Sequence, residues 1–416
     1  MIPRFDEYKS KWGVDSDQSI KPGLEAMEQA LELLQNPEKN LSFVHIAGTN
    51  GKGSTIAFLE EIARKHGLTV GKFTSPCIVD VHDQLQINGR PISEKEINEL
   101  FIQFKKAGLS GKLTDFELLT CGAFLYFAQQ KVDLVLLETG MGGREDSTNV
   151  IMPIVSIITS IALEHTRFLG STIGSIAGHK AGIIKADKPV VIGRLPIEAL
   201  KVIENEAYGK KSPLIALGDQ FEVSMEGLTD VYINDEKGLQ ISKLVRRMPG
   251  SHQADNMALA ITAFFEVAEF LRLAVDIAAI RNAVQMASLP GRFEQVLPNV
   301  YFDGAHNPAS AEKLVETIKQ QFPSEPIRFV VGMLADKDVK AVLQLLEQVS
   351  DEFYFVDFAN DRAMASKEML ALSNASQASQ LEDYASFLEA SAKREGKTFV
   401  TGSLYLLTDI RERLLI

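Results

Sequence analysis

Cysteine is almost missing from this chain: 416 residues contain two, Cys77 and Cys121. Two thiols cannot build a disulfide framework, which excludes the small stapled scaffolds of secreted proteins and points to a reducing, cytoplasmic setting. Positive charge is in deficit, with 43 Lys and Arg against 55 Asp and Glu and a formal net charge of -12. That balance excludes general binding to a nucleic-acid backbone and leaves room only for a local basic site facing a small anion. Long apolar runs are also absent. The longest, VIMPIVSIITSIAL at 150–163, contains Pro153 and falls short of the roughly 20 residues a spanning helix needs. It reads as a buried strand with its loop, so no membrane partner is expected. MIPRFDEYKSKWG at the start has no apolar signal core. Short-period repeats and low-complexity segments are missing as well.

What is present has the texture of a globular protein with a sizeable core: 45% of residues are hydrophobic and 24% charged. The length suggests two or three domains. LSFVHIAG (41–48) is a β-branched and aromatic run ending in Gly, and STIAFLEEIARKHG (54–67) has helical spacing closed by Gly67. LTVGKFTSP (68–76) reads as a strand, DFELLTCGAFLYFAQQK (115–131) as an apolar helix, and VDLVLLETG (132–140) as a buried strand ending on Glu138. IVSIITSIALEH (154–165) is expected to be a similar strand ending near Glu164 and His165, with KPVVIG (188–193) a shorter one. Apolar strands alternating with helices predict an α/β fold on a doubly wound parallel sheet. From about 214 to 247 the pattern changes to short alternating strands, and 251–271 returns to helix. SLPGRFEQVLPN (288–299) interrupts the pattern, and a fresh βαβ series follows from VYFDGAHN to TFVTGS. The expected division is two α/β domains, 1–288 and 289–416.

The chemistry concentrates where such sheets bind ligands, at the carboxyl ends of strands. HIAGTNGKGST (45–55) resembles a phosphate loop but departs from G-x-x-x-x-G-K-[ST]: Ile46 stands where the first Gly belongs, and Gly53 follows Lys52. The physics of a phosphate cradle is nonetheless intact. Gly48, Gly51 and Gly53 let backbone N–H groups approach oxyanions, the following helix offers its positive dipole end, and Lys52 adds a point charge. Other strand ends supply Ser75, Glu138, His165, Asp303 and His306. Taken singly, a strand-end Glu is more often solvated and a His more often structural. A hydroxyl, a carboxylate and an imidazole beside a phosphate loop can together hold Mg²⁺, although oxygen is its usual ligand and the imidazole is the less typical member.

GTNGKGS resembles the phosphate-loop form of the Mur ligase superfamily, in its folylpolyglutamate synthase/dihydrofolate synthase branch. The other landmarks follow in order: FTSP (73–76), LLETGMGGREDSTNV (136–150), LEHTRFLGSTIGSIAGHKAGIIK (163–185), GSHQADNMALA (250–260), LPGRFEQV (289–296), DGAHNP (303–308), LADKD (334–338) and TGSLYL (401–406). The resemblance implies an N-terminal P-loop, Mur-ligase-like parallel-sheet domain and a smaller C-terminal Rossmann-like α/β domain. It further implies a monomeric, ATP-dependent ligase that joins L-glutamate to a reduced folate or to dihydropteroate through an acyl phosphate. Thr49, Asn50, Gly51, Lys52, Gly53 and Ser54 match the ATP-phosphate segment, and Asn256, Arg292 and Asp303 match nucleotide contacts. Ser75, Glu138 and His165 match Mg²⁺ ligands. Lys180 matches a lysine carbamylated in the superfamily, which would serve a second Mg²⁺; standing alone it would read as a surface helix lysine. His306 and Ser403 match positions facing glutamate in a cleft between the domains. Lys52, Lys180 and His306 are thus the expected catalytic residues.

Several positions depart from the family pattern. SPCI (75–78) and HDQL (82–85) stand where relatives often have SPHL and an NERI-like segment, LEH replaces LDH at 163–165, and His179 replaces an acid. The rival readings are a ligase of a different Mur-type substrate and a non-catalytic ATP-binding relative. Against the first, the phosphate loop begins at residue 48, leaving no room for a separate nucleotide-sugar domain before it.

Overall fold

The computed structural model describes residues 2–17, 23–77 and 79–414. Ile78, the last residue of the SPCI segment, lies outside the described residues. The chain forms two compact units, Met1–Arg247 with Ala254–Ala287, and Met248–Gln253 with Ser288–Ile416.

The first unit is built on an eight-stranded sheet. Its strands are β1 (Phe43–Ala47), β2 (Val70–Phe73), β3 (Leu85–Ile87), β4 (Arg90–Pro91), β5 (Leu134–Glu138), β6 (Val155–Ile158), β7 (Val190–Ile192) and β8 (Leu214–Ala216). They lie in the order β4-β3-β2-β5-β1-β6-β7-β8. All pairings from β2 to β8 are parallel, while β3 and β4 add an antiparallel edge. β1 and β5, FVHIA and LVLLE, are buried throughout. Helices covering both faces of a parallel sheet require such strands, because no face is left for water. The strand expected over 154–165 stops at Ile158, because the residues after it, through Thr159 Oγ1 and Ser160 O, bond the phosphate loop instead. The helix expected from Ser54 begins two residues earlier, at Lys52, with Gly51 as its N-cap. S-x-x-E and T-x-x-E signals start the helices Glu94–Lys106 and Asp115–Gln130, where Ser93/Glu96 and Thr114/Glu117 form reciprocal capping boxes. The alternating segment becomes a small antiparallel sheet of β9 (Phe221–Glu226), β10 (Thr229–Asn234) and β11 (Leu239–Leu244). The Tyr232 hydroxyl ties it to Thr262 of the helix Ser251–Leu271.

The second unit is a six-stranded sheet, β12 (Glu294–Leu297), β13 (Val300–Phe302), β14 (Ile327–Val331), β15 (Glu352–Phe355), β16 (Gln377–Gln380) and β17 (Lys397–Thr401). The order is β12-β13-β17-β14-β15-β16, parallel except for β12. β16, QASQ, is an exposed edge strand with no apolar alternation, so nothing in its composition announces it. Among the described residues no helix is long and apolar enough to cross a membrane.

Candidate active site

Residues 48–52 connect β1 to the helix Lys52–Lys65. The turn demands glycine twice. Gly51 has φ 90, and a Cβ there would lie 2.5 Å from Asn256 Oδ1. A Cβ on Gly48 would lie 1.9 Å from Thr159 Oγ1. Asn256 therefore packs directly on the loop. The loop is also strapped to the residues that follow β6. Thr49 N donates to Ser160 O, Asn50 N donates to Ser160 Oγ, and Asn50 O accepts from Thr159 Oγ1 at 2.6 Å. Thr49 Oγ1 donates to Ala162 O and accepts from Ala162 N. Lys52 Nζ folds back to Gly48 O at 3.0 Å and lies 3.7 Å from Glu138 Oε1. Gly53 and Ser54 occupy the first helical turn, with Ser54 buried.

Glu138 ends β5 as a buried carboxylate, and its Oε2 accepts from Ser75 N at 3.3 Å. Ser75 follows β2, so neighbouring parallel strands deliver both groups to one sheet end. Lys180, in the last turn of the helix Ile173–Ala181, is 5% exposed. That burial removes the surface-lysine reading. Desolvation, helped by the Lys52 charge, pushes its ammonium down to about 7, while Glu164 and Asp146 pull the other way. His165 is exposed, with φ 51, at the N-cap of the short helix Thr166–Leu169. It lies three residues beyond Ala162, which the loop threonine holds. Ser75, Glu138, Lys52, Lys180 and the phosphate loop thus gather at one end of the sheet. No group of three His, Cys, Asp or Glu side chains poised for a metal exists among the described residues.

The other expected residues gather within the second unit. Asp303 follows β13; its half-buried carboxylate accepts from Phe293 N and Ala305 N. Burial raises its pKa, and the Arg292 guanidinium opposes the rise. Arg292 lies over Gly304, where a Cβ would sit 2.4 Å from Nη1. His306 Nδ1 donates to Gly304 O at 2.8 Å, which places the proton of a neutral ring on Nδ1. Ser403 is buried, and its Oγ accepts from Tyr405 N at the start of the helix Leu404–Leu414.

Residue-level reasoning missed Thr159 and Ser160, which hold the loop; their signal was two hydroxyls directly after an apolar run. In the departing segment, His82 Nδ1 donates to Asp80 Oδ1, and Nε2 accepts from the Tyr8 hydroxyl. Cys77 is buried there, and desolvation together with Asp83 pushes its thiol up to about 12.

Comparison with known proteins identifies the family. Residues 46–264 match the Mur ligase middle domain, and 291–404 match the Mur ligase glutamate ligase domain. The dihydrofolate synthase/folylpolyglutamate synthase of Bacillus subtilis is 39% identical over 95% of this chain and 95% of its own. A solved Escherichia coli FolC, in complex with DHPP and ADP, superposes with TM-score 0.89 at 29% identity, covering 98% of this chain and 97% of that one. A solved FPGS–AMPPCP complex gives TM-score 0.85 at 30% identity, covering 99% of both chains. The chain belongs to the dihydrofolate synthase/folylpolyglutamate synthase family of Mur ligases.

Proposed function

We propose that this chain is an ATP-dependent ligase that forms an amide between a folate carboxylate and the amine of L-glutamate. The observation that carries the reading is the pairing of Lys52 with the buried Glu138 carboxylate beside a glycine loop at a helix N-terminus. That arrangement accepts a polyphosphate and a cation together. In the proposed reaction a folate carboxylate oxygen attacks the γ-phosphorus of ATP. The bond to the β,γ-bridging oxygen breaks, leaving ADP and an acyl phosphate. The glutamate amine then attacks the activated carbonyl and phosphate departs. Lys52 in this scheme leaves Gly48 O to meet the phosphates, offsetting charge that develops during transfer.

The donor set suits Mg²⁺. Glu138 offers a buried carboxylate that accepts from the Ser75 amide, so Ser75 and its hydroxyl belong to the same sheet end, and Mg²⁺ needs only one or two protein carboxylates when phosphates and water complete its shell. Glu138, Ser75 and His165 are its proposed ligands, and a carbamate on Lys180 those of a second ion. When bound, Mg²⁺ supplies Lewis-acid neutralisation of the phosphate oxygens. Thr49, Asn50, Gly51, Gly53, Ser54, Asn256, Arg292 and Asp303 are assigned to the nucleotide, with His306 and Ser403 on the glutamate side. We assign the enzyme to the cytoplasm as a monomer.

ADP release is the test, measured with Mg·ATP and glutamate plus either dihydropteroate or tetrahydrofolate. Turnover with tetrahydrofolate alone makes this a tail-extending synthase, and turnover with both makes it bifunctional. Turnover with neither overturns the proposal.

A further inference from the structure

One buried polar chain lies outside the groups assigned above. His45 sits in the middle of β1, fully buried within FVHIA. Its Nε2 meets Thr148 Oγ1 at 2.9 Å, and Thr148 Oγ1 meets Asp146 Oδ1 at 2.5 Å. Thr148 has one hydroxyl proton, which goes to the carboxylate, so it accepts from His45 Nε2–H. His45 Nδ1 then remains a buried lone pair without a partner. The opposite proton order would bury an unpaired N–H there, which is the costlier choice.

Asp146 is the hub of the segment that leads from Glu138 towards Lys180. Its Oδ2 accepts from Met141 N at 2.7 Å, and its Oδ1 also accepts from Thr148 N. The same segment grips the Lys180 helix. Arg144 N donates to His179 O at 2.7 Å, and Asn149 Nδ2 bridges Arg144 O and Gly182 O. A Cβ on Gly143 would lie 2.9 Å from His179 O and 3.1 Å from Lys180 O. The strand that feeds the phosphate loop is therefore linked by hydrogen bonds to the bracket that seats Lys180.

We propose that His45, Thr148 and Asp146 are positioning residues: their buried relay fixes segment 139–150, and through it sets Lys180 and Glu138 relative to the phosphate loop. This rests on the ligase reading for its catalytic consequence, although not for its structural one. Burial and the Lys185 charge, which hold the His45 imidazole far below its ordinary pKa, keep it a neutral donor.

Thr148→Val removes the hydroxyl at constant shape, and Thr148→Ser restores it. Turnover, ADP affinity and amide hydrogen exchange are measured on both variants and on wild type. Thr148→Val is expected to keep ADP affinity, lose about tenfold or more in kcat through misplacement of the reacting groups, and exchange faster in 139–150. Thr148→Ser is expected to recover both. Wild-type kcat in Thr148→Val overturns the proposal. So does a parallel loss of ADP affinity and kcat, which marks general disruption. If wild type itself shows no turnover, the ligase reading fails by itself and exchange decides the relay. Unchanged protection of 139–150 in Thr148→Val then overturns it, and faster exchange reversed by Ser supports it.

Discussion

His45 makes the stability of the first unit sensitive to acid. In the folded chain burial holds its pKa down from 6.5 to about 3, with Lys185 adding to the depression. Thr148 and, through it, the Asp146 carboxylate face its other side. A neutral imidazole in the folded chain and a basic one in the unfolded chain mean that protons favour unfolding. The contribution is complete above pH 6.5 and is lost as the pH falls towards 3. At pH 5 the gap is 1.5 units, which at 1.36 kcal/mol per unit is about 2 kcal/mol; over the whole window it approaches about 5 kcal/mol. The perturbation is His45→Leu. Other groups titrate as well, so the quantity to compare is the difference in unfolding free energy between wild type and variant at pH 7 and pH 5. The chain's single tryptophan, Trp12, packs against the core of the same unit and donates to Asn98, so its fluorescence reports on that unit in urea titrations. Wild type should lose about 2 kcal/mol more than the variant between pH 7 and pH 5. Parallel losses would refute the reasoning and show that His45 carries its proton in the folded chain.

Two further outcomes follow from the site and the core. Lys52→Ala and Glu138→Ala should each lower glutamate-dependent ADP release by roughly 10²-fold or more, since the proposed reaction uses each charge at the transferring phosphate or its cation; circular dichroism should remain that of the folded protein, and near-normal turnover in either variant would remove it from the proposed site. Cys77 and Cys121 are both buried with their thiols pushed up, so neither should react with a thiol reagent at pH 8 until denaturant is added; rapid labelling of the native protein would show that the segment around Cys77 opens.

Much of the first sheet was legible because its strands carry their own signal. Apart from His45 and the terminal Glu138, FVHIA and LVLLE are apolar on both faces, as doubly covered strands are, and the glycine loop between one of them and a helix marked the ligand end. The strand predicted through Glu164 and His165 failed for a physical reason. Residues 159–162 are recruited by the phosphate loop, and hydrogen bonds to Thr49 and Asn50 outweigh their apolar propensity for sheet. QASQ of β16 went unread because an edge strand needs no buried face.

By itself the sequence determined the alternation of apolar strands and helices, the glycine–lysine loop, and the polar residues placed where strands end. Those are local matters, set by periodicity, by turn chemistry and by the steric freedom of glycine. The tertiary structure alone decided that Lys180 is buried rather than exposed and that Glu138 meets Lys52 and the Ser75 amide. It also decided that a histidine inside a strand reaches Asp146 through a threonine more than 100 positions away. Each of these depends on strand order and on desolvation, which arise only when β5 and β6 pair with β1 on either side.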